Sequence, residues 1–172
     1  AIYQQGIIYG LMLQGSQKIS TLQKIRRSYP KSIYNDDALF EIANTYYQDL
    51  SNIGEAKQYF NSLISKYDSS IYVPESYVKL GLIAYQQGQD NQALDYCKKV
   101  VEKYPRTPSS QEALALMESI YVKNGKGAEY LDYIANIPNS NIRITYQDSL
   151  LYESAMRSYR KGDCKEAVRG FD

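Results

Sequence analysis

The chain has 172 residues and a mass of 19.7 kDa, enough for one ordinary domain and short for two. Hydrophobic residues make up 44% and charged residues 23%, which fits a folded soluble protein and argues against wholesale disorder. Twenty Lys+Arg against nineteen Asp+Glu leave a formal charge of +1, and there is no histidine, so the sequence lacks the basic footprint of a nucleic-acid binder and excludes Ser-His-Asp triads, Cys-His pairs and His-containing metal sites.

Apolar residues recur at helical spacing along the whole chain. They predict five helix pairs: 2–14 with 17–28, 36–49 with 53–66, 74–87 with 91–103, 109–123 with 126–136, and 146–160 with 164 onward. The first pair contains the longest apolar run, Ile7–Leu13, broken by Gly10. That is far short of the roughly 20 residues of a membrane span. The start at Ala1 without Met, and the end at Asp172 inside an expected helix, read as a segment of a longer protein with any signal peptide left behind. Lys18, Lys24, Arg26, Arg27 and Lys31 form an acid-free basic stretch, and Asp36–Glu75 then runs acidic. The asymmetry reads as a solvated face with ion pairing across the boundary, or as a docking patch for an acidic partner or anionic surface.

One phrase separates the pairs: Tyr29-Pro30-Lys31-Ser32, Tyr67-Asp68-Ser69-Ser70, Tyr104-Pro105-Arg106-Thr107 and Ile137-Pro138-Asn139-Ser140. Such a period is the mark of a repeat architecture. All five prolines fall between or at the starts of the predicted helices, where a missing N–H does no harm. Capping pairs stand at Asn52/Glu55, Ser109/Glu112 and Asp163/Glu166. The connection 138–145 is the longest and the expected mobile spot. Ile142–Thr145 is the only strand candidate.

Chemistry-bearing motifs are few. Asn124-Gly125-Lys126-Gly127 lacks the spacing and preceding strand of a phosphate loop and reads as a hairpin turn. Asp36-Asp37 reads as helix N-terminal charge. Cys97 and Cys164 form no CxxC motif, and Cys97 falls at a core position. No catalytic residue, cofactor site or metal site is assigned.

The clearest unit, Pro74–Pro105, carries Tyr77, Leu80-Gly81, Ala84, Ala93, Cys97, Val100 and Pro105. It resembles the tetratricopeptide repeat (TPR), a helix-turn-helix unit of 34 residues. The preceding unit offers Ile42-Ala43, Tyr46, Ala56, Phe60 and Leu63 after a turn one residue longer. The last offers Ser154-Ala155, Gly162, Ala167 and Phe171. The first unit lacks an Ala at the contact position of its second helix, and the fourth has Met117 where Gly or Ala belongs and a shortened second helix. The resemblance implies an all-α, right-handed α-solenoid of about five hairpins, a single array with repeats near 1–32, 33–70, 71–107, 108–140 and 145–172. Small residues such as Gly81 and Ala93 let the two helices of a hairpin cross closely. The Tyr-Pro-x-Ser phrase is similar to that of bacterial cell-envelope members, the BamD-type lipoproteins and the Tol-Pal-associated periplasmic TPR domain. This implies a periplasmic or outer-membrane address, with a cytoplasmic one as the alternative.

The resemblance also implies a concave groove lined by first helices. Its register puts there Phe40, Asn44, Tyr47 and Gln48; Val78, Leu82, Tyr85 and Gln86; Leu114, Glu118, Tyr121 and Val122; and Tyr152, Met156, Tyr159 and Arg160. The tyrosine column Tyr47, Tyr85, Tyr121, Tyr159 either anchors a protein or peptide segment or packs between neighbouring helices. Asn44 is read as a solvated groove residue, because the basic set of a carboxylate clamp is missing. The expected function is a non-catalytic protein-interaction scaffold, with a protein or peptide partner and no nucleic acid. The alternatives are a structural spacer that self-associates through exposed repeat ends, or a regulatory segment of a multidomain protein.

Overall fold

The computed structural model describes residues 1–137 and 147–169. The connection 138–145, the strand candidate within it and Phe171 lie outside the described residues. Among the described residues the chain is all-α: α1 Ile2–Leu11, α2 Gly15–Ser28, α3 Asn35–Asn44, a π-helical turn Thr45–Asp49, α4 Ile53–Lys66, α5 Val73–Gln86, α6 Asp90–Lys103, α7 Pro108–Lys123, α8 Gly127–Ala135, α9 Gln147–Arg160 and α10 Cys164–Arg169. The ends agree with the sequence periodicity to within a few residues. The fold is of the α-solenoid class, built from helix-turn-helix repeats.

A residue with positive φ stands in the turn after each first helix: Leu13 (57°), Ser51 (50°), Gly88 (73°), Gly125 (76°) and Gly162 (80°). The N–H that follows it donates back to a carbonyl of the first helix. These pairs are Gln14 to Tyr9 at 2.9 Å, Asn52 to Tyr46 at 2.8 Å, Gln89 to Ala84 at 2.9 Å, Lys126 to Tyr121 at 2.8 Å and Asp163 to Ser158 at 3.0 Å. This bond closes the helix end and gives a structural register. Tyr9, Tyr46, Ala84, Tyr121 and Ser158 are equivalent. In the second repeat the bond spans one residue more, and the extra residue is absorbed by the π-helical turn.

The tyrosine phrase has one physical role. Tyr29, Tyr67 and Tyr104 are C-caps of α2, α4 and α6 with φ of −134°, −136° and −132°. Ser32, Ser70 and Thr107 each donate their N–H back to that tyrosine's carbonyl, at 2.9, 2.9 and 3.2 Å. Helix starts follow the capping pairs in two cases: Asn52 Oδ1 accepts from Glu55 N–H, and Asp163 Oδ1 from Glu166 N–H. At α7 the expected Ser109 cap is replaced. Thr107 Oγ1 accepts from the Ser110 N–H, and Pro108 opens the helix, a position that suits its missing donor.

The chain divides into two compact units, residues 1–83 and 84–172. In the first, Ile19, Leu22, Ile25, Ala38 and Ile42 form a core, with Ile2, Tyr3, Tyr46 and Tyr59 packed against it. Gly6 sits where α1 meets α2: an added Cβ would lie 2.6 Å from Leu22 Cδ2. Lys18 occupies the α2 position where the third repeat has Ala93. Its stem passes over Gly10 and its ammonium pairs with Glu41 at 2.6 Å. Asp36 and Asp37 lie in the first turn of α3, as their sequence position implied, and also accept from Ser70 Oγ at 2.7 Å and Tyr72 Oη at 2.8 Å.

In the second unit Ala93, Cys97, Val100, Ala113, Met117, Ile120, Tyr130 and Ile134 are buried. Helix α9 docks on the α7–α8 turn through two buried hydroxyls. Ser154 Oγ accepts from Gly127 N–H at 2.7 Å, and Ser158 Oγ donates to the Gly125 carbonyl at 3.3 Å. Asn124–Gly127 is thereby the turn the sequence indicated.

Candidate functional site

Within residues 1–83, the residues assigned to the groove separate by burial. Phe40 is 5% exposed, stacks on Tyr72 with ring centroids 4.5 Å apart and meets Phe60 edge-on at 6.2 Å. Its ring belongs to the core, which corrects the groove assignment, and Val78 is likewise buried. Asn44, expected as a solvated groove residue, is half-buried, and its amide oxygen is sealed from solvent with no hydrogen-bond partner among the described residues. Tyr47 is half-buried and Gln48 exposed, both in the π-helical turn, and Leu82 is half-buried on α5.

Within residues 84–172, two adjoining clefts open along α7 and α9. The first, about 480 Å³, is lined by Tyr85, Glu118 and Lys123 together with Leu150, Glu153 and Arg157. The second, about 520 Å³, is lined by Tyr152, Met156 and Arg160, again with Lys123, Glu153 and Arg157. Tyr85, Glu118, Met156 and Arg160 are thus brought to one region by first helices. Gln86 is exposed. Tyr159 is 63% exposed and lines neither cleft.

Tyr121 goes elsewhere. The turn bonds make it equivalent to Ala84, one residue out of step with Tyr85. One residue on a helix is a rotation of about 100°. Its ring turns toward α8, with its centroid 6.0 Å from that of Tyr130, and lines the clefts between α6 and α8. Val122, not Tyr121, shares the Tyr85 position, and Met117 is equivalent to Leu80. The residue at the Gly81 position is Glu118. The signal for this lay in the sequence: Gly88, Gly125 and Gly162 repeat every 37 residues, whereas Tyr85 and Tyr121 are 36 apart.

The electrostatics of the α7–α9 region centre on Lys123. Its ammonium lies 4.7 Å from the centroid of the Tyr85 ring and 2.7 Å from Asp90 Oδ1. Asn124 Nδ2 donates to Asp90 Oδ2 at 2.9 Å, and Lys161 Nζ donates to the Lys123 carbonyl at 2.8 Å. Burial works to raise the Asp90 carboxyl, but the hydrogen bonds from Lys123 and Asn124 outweigh it and hold the group below its ordinary value. Arg157 and Arg160 have no ion-pair partner among the described residues. The region therefore offers cations, a tyrosine ring and a methionine, which are contact chemistry. Cys97 is buried and its thiol is pushed up to about 12 by that burial, so it stays neutral. Among the described residues no group of three or more His, Cys, Asp or Glu converges as a metal site. The sequence reading missed Lys123, Glu153 and Arg157; the i,i+4 spacing of the last two on one face of α9 was the available signal.

A chain of helical hairpins that repeat the same turn bond belongs to the helical-repeat class. The tetratricopeptide repeat family model matches residues 1–32, 37–70 and 75–107. The chain belongs to the tetratricopeptide repeat family, whose members generally mediate protein–protein contacts and are generally non-catalytic. Three solved structures share its fold. One is pilF of Pseudomonas aeruginosa, at 17% identity over 99% of this chain and 72% of that one, with a TM-score of 0.60. Another is MamA, at 16% identity over 96% and 90%, with a TM-score of 0.63. The third is a thermophilic TPR protein of Thermus thermophilus, at 15% identity over 99% and 86%, with a TM-score of 0.50. No curated protein matches the sequence significantly. No helix among the described residues is long and apolar enough to cross a membrane.

Proposed function

We propose that the chain is a non-catalytic protein-binding module that holds a peptide or protein segment along the first-helix side of α7 and α9. The observation that carries this reading is the convergence of Tyr85, Glu118, Met156 and Arg160 on adjoining clefts, with Arg157 and Arg160 lacking an ion-pair partner among the described residues. Tyrosine, methionine and arginine are the side chains that dominate protein interfaces. The test is affinity capture from soluble and envelope fractions, with wild type beside a Tyr85→Ala/Met156→Ala/Arg160→Ala variant whose folding is checked by circular dichroism. Loss of one captured protein on the folded variant supports the reading. An unchanged set of captured proteins refutes it. The envelope address rests on the resemblance of the Tyr-Pro-x-Ser phrase, and fractionation of source cells tests it: a chain recovered wholly with the cytoplasm overturns it.

A second reading has its own support. Ile8 is 55% exposed, whereas its equivalents in the second, third and fourth repeats, Thr45, Ile83 and Ile120, are each 1% exposed; the fifth, Arg157, is exposed. In the second repeat this position packs on the preceding hairpin: the Thr45 methyl would lie 3.2 Å from a Cβ added at Gly15. The exposed α1 face supports the spacer or self-association reading, in which another hairpin covers it. Sedimentation of wild type and Ile8→Ser/Leu11→Ser tests it, with a concentration-dependent oligomer lost in the variant as the expected result.

A further inference from the structure

One of the two openings lined by Tyr121 lies on the side of α7 that faces α6 and α8. Its origin is in the sequence. The hairpin of the third repeat carries Ala84 and Ala93, 2% and 0% exposed. The equivalent positions of the fourth repeat are Tyr121 and Tyr130, whose rings stand 6.0 Å apart. Helix α8 has 9 residues where α6 has 14. A cleft of about 680 Å³ lies between α6 and α8, with Tyr121 in its wall.

Val101 and Ile137 give this cleft apolar surface, and Tyr121 and Tyr133 give it aromatic surface. Glu102, Glu129 and Asp132 give it three carboxylates, and no basic residue is among the described residues that line it. Glu129 shares its charge with Lys126 at 3.0 Å, but both side chains are about half exposed, at 54% and 50%, so the pair is weak. Glu102 and Asp132 have no ion-pair partner among the described residues. The Tyr133 hydroxyl is sealed from solvent and has no hydrogen-bond partner among the described residues. Burial first, and Glu102 next, push that hydroxyl up to about 12. The Tyr133 ring already faces a cation, with Lys98 Nζ 5.8 Å from its centroid.

We propose that this cleft receives a basic, arginine- or lysine-bearing peptide segment of a partner protein, at a site separate from the α7–α9 clefts. The aliphatic stem of such a side chain matches Val101 and Ile137, and its charged head matches the tyrosine faces and the carboxylates. An acidic segment would meet three like charges. A neutral apolar segment would strip water from Glu102 and Asp132 and return no counter-charge.

Fluorescence anisotropy at physiological salt tests the proposal. The probes are a fluorescein-labelled peptide alternating arginine and leucine, and its counterpart with glutamate in place of arginine. Wild type should bind the arginine peptide and not the glutamate one. Glu102→Gln/Asp132→Asn should weaken binding by at least about tenfold. Glu112→Gln/Asp148→Asn, which removes the same charge from exposed positions outside the cleft, should leave binding unchanged. Both pairs are exposed, so the fold should tolerate them, and circular dichroism checks this. Titration with the arginine peptide should shift the ring resonances of Tyr121 and Tyr133. No binding of the arginine peptide, equal binding of the glutamate peptide, or equal loss in the two double variants overturns the proposal.

Discussion

The Lys123 ammonium stands 4.7 Å from the centroid of the Tyr85 ring and 2.7 Å from Asp90 Oδ1. A residue at the end of α7 is thereby held between the last residues of α5 and the first of α6. Asp90→Asn should loosen that arrangement and lower stability by about 1 kcal/mol at neutral pH. The pH dependence has a definite sign. The Asp90 carboxyl is held below its unfolded value of about 3.9. Its contribution is therefore complete above that pH and is lost as pH falls through the lower, folded value. Melting curves should show wild type above the variant at neutral pH and the two converging in acid. A constant gap down to strong acid would contradict the role given to Asp90.

The contact of Gly6 with Leu22 makes a stability prediction for the first hairpin. A Cβ at Gly6 would sit 2.6 Å from Leu22 Cδ2 and 2.8 Å from its Cγ, and Leu22 is fully buried. Gly6→Ala should cost about 1–3 kcal/mol by overpacking, despite the gain in helix propensity. Ala93→Phe, at a fully buried site of α6, should cost at least as much. Denaturant unfolding of both variants checks this, and unchanged midpoints would sink the packing register.

Much of the fold was legible because its signals are local. The helical period, the tyrosine C-caps and the prolines each report on a few neighbouring residues. The candidate site was less legible because it depends on phase. Tyr121 and Tyr85 look alike to a pattern that counts tyrosines, yet one residue of difference moves a side chain to another side of its helix. Phe40 was misplaced for a different reason. Its burial depends on Tyr72 and Phe60, and no spacing rule for a single helix contains those partners. The missing alanine of the first unit was visible in the sequence, but how Lys18 fills its place was not, because that depends on the absent side chain of Gly10 and on Glu41.

The turn register singles out Leu13. It has φ of 57° and is 89% exposed, where three other repeats place glycine. A left-handed conformation costs a non-glycine residue roughly 1–2 kcal/mol. Leu13→Gly should therefore be neutral to stabilising by up to about 1 kcal/mol, because relief of strain competes with the added freedom of the unfolded chain. The reverse exchange, Gly88→Leu, should destabilise by about 1 kcal/mol. No atom lies within 4 Å of a Cβ built at Gly88, so the loss would be of backbone origin alone. Thermal melts of the two variants should move in opposite directions or leave Leu13→Gly unmoved. A fall for Leu13→Gly as large as that for Gly88→Leu would refute the equivalence of the turns.

Tyr72 and Tyr133 separate two kinds of buried hydroxyl. The Tyr72 hydroxyl donates to Asp37 Oδ1 at 2.8 Å, and burial together with that bond raises it strongly. The Tyr133 hydroxyl has no hydrogen-bond partner among the described residues, and burial followed by Glu102 pushes it up to about 12. Tyr72→Phe should cost about 1–2 kcal/mol at neutral pH, since it leaves a carboxylate without its donor. Tyr133→Phe should be neutral or slightly stabilising. Both hydroxyls favour the protonated form in the folded state over an unfolded value of about 10. Keeping them protonated thus costs the folded state nothing below that pH, and stability is lost as pH rises from there toward the folded values. Wild type should lose stability steeply above about pH 10, and each phenylalanine variant should lose less over the same range. Denaturant midpoints measured from neutral to strongly alkaline pH decide the matter. A Tyr133→Phe protein as destabilised at neutral pH as Tyr72→Phe would mean that the Tyr133 hydroxyl contributes a bond to the folded state.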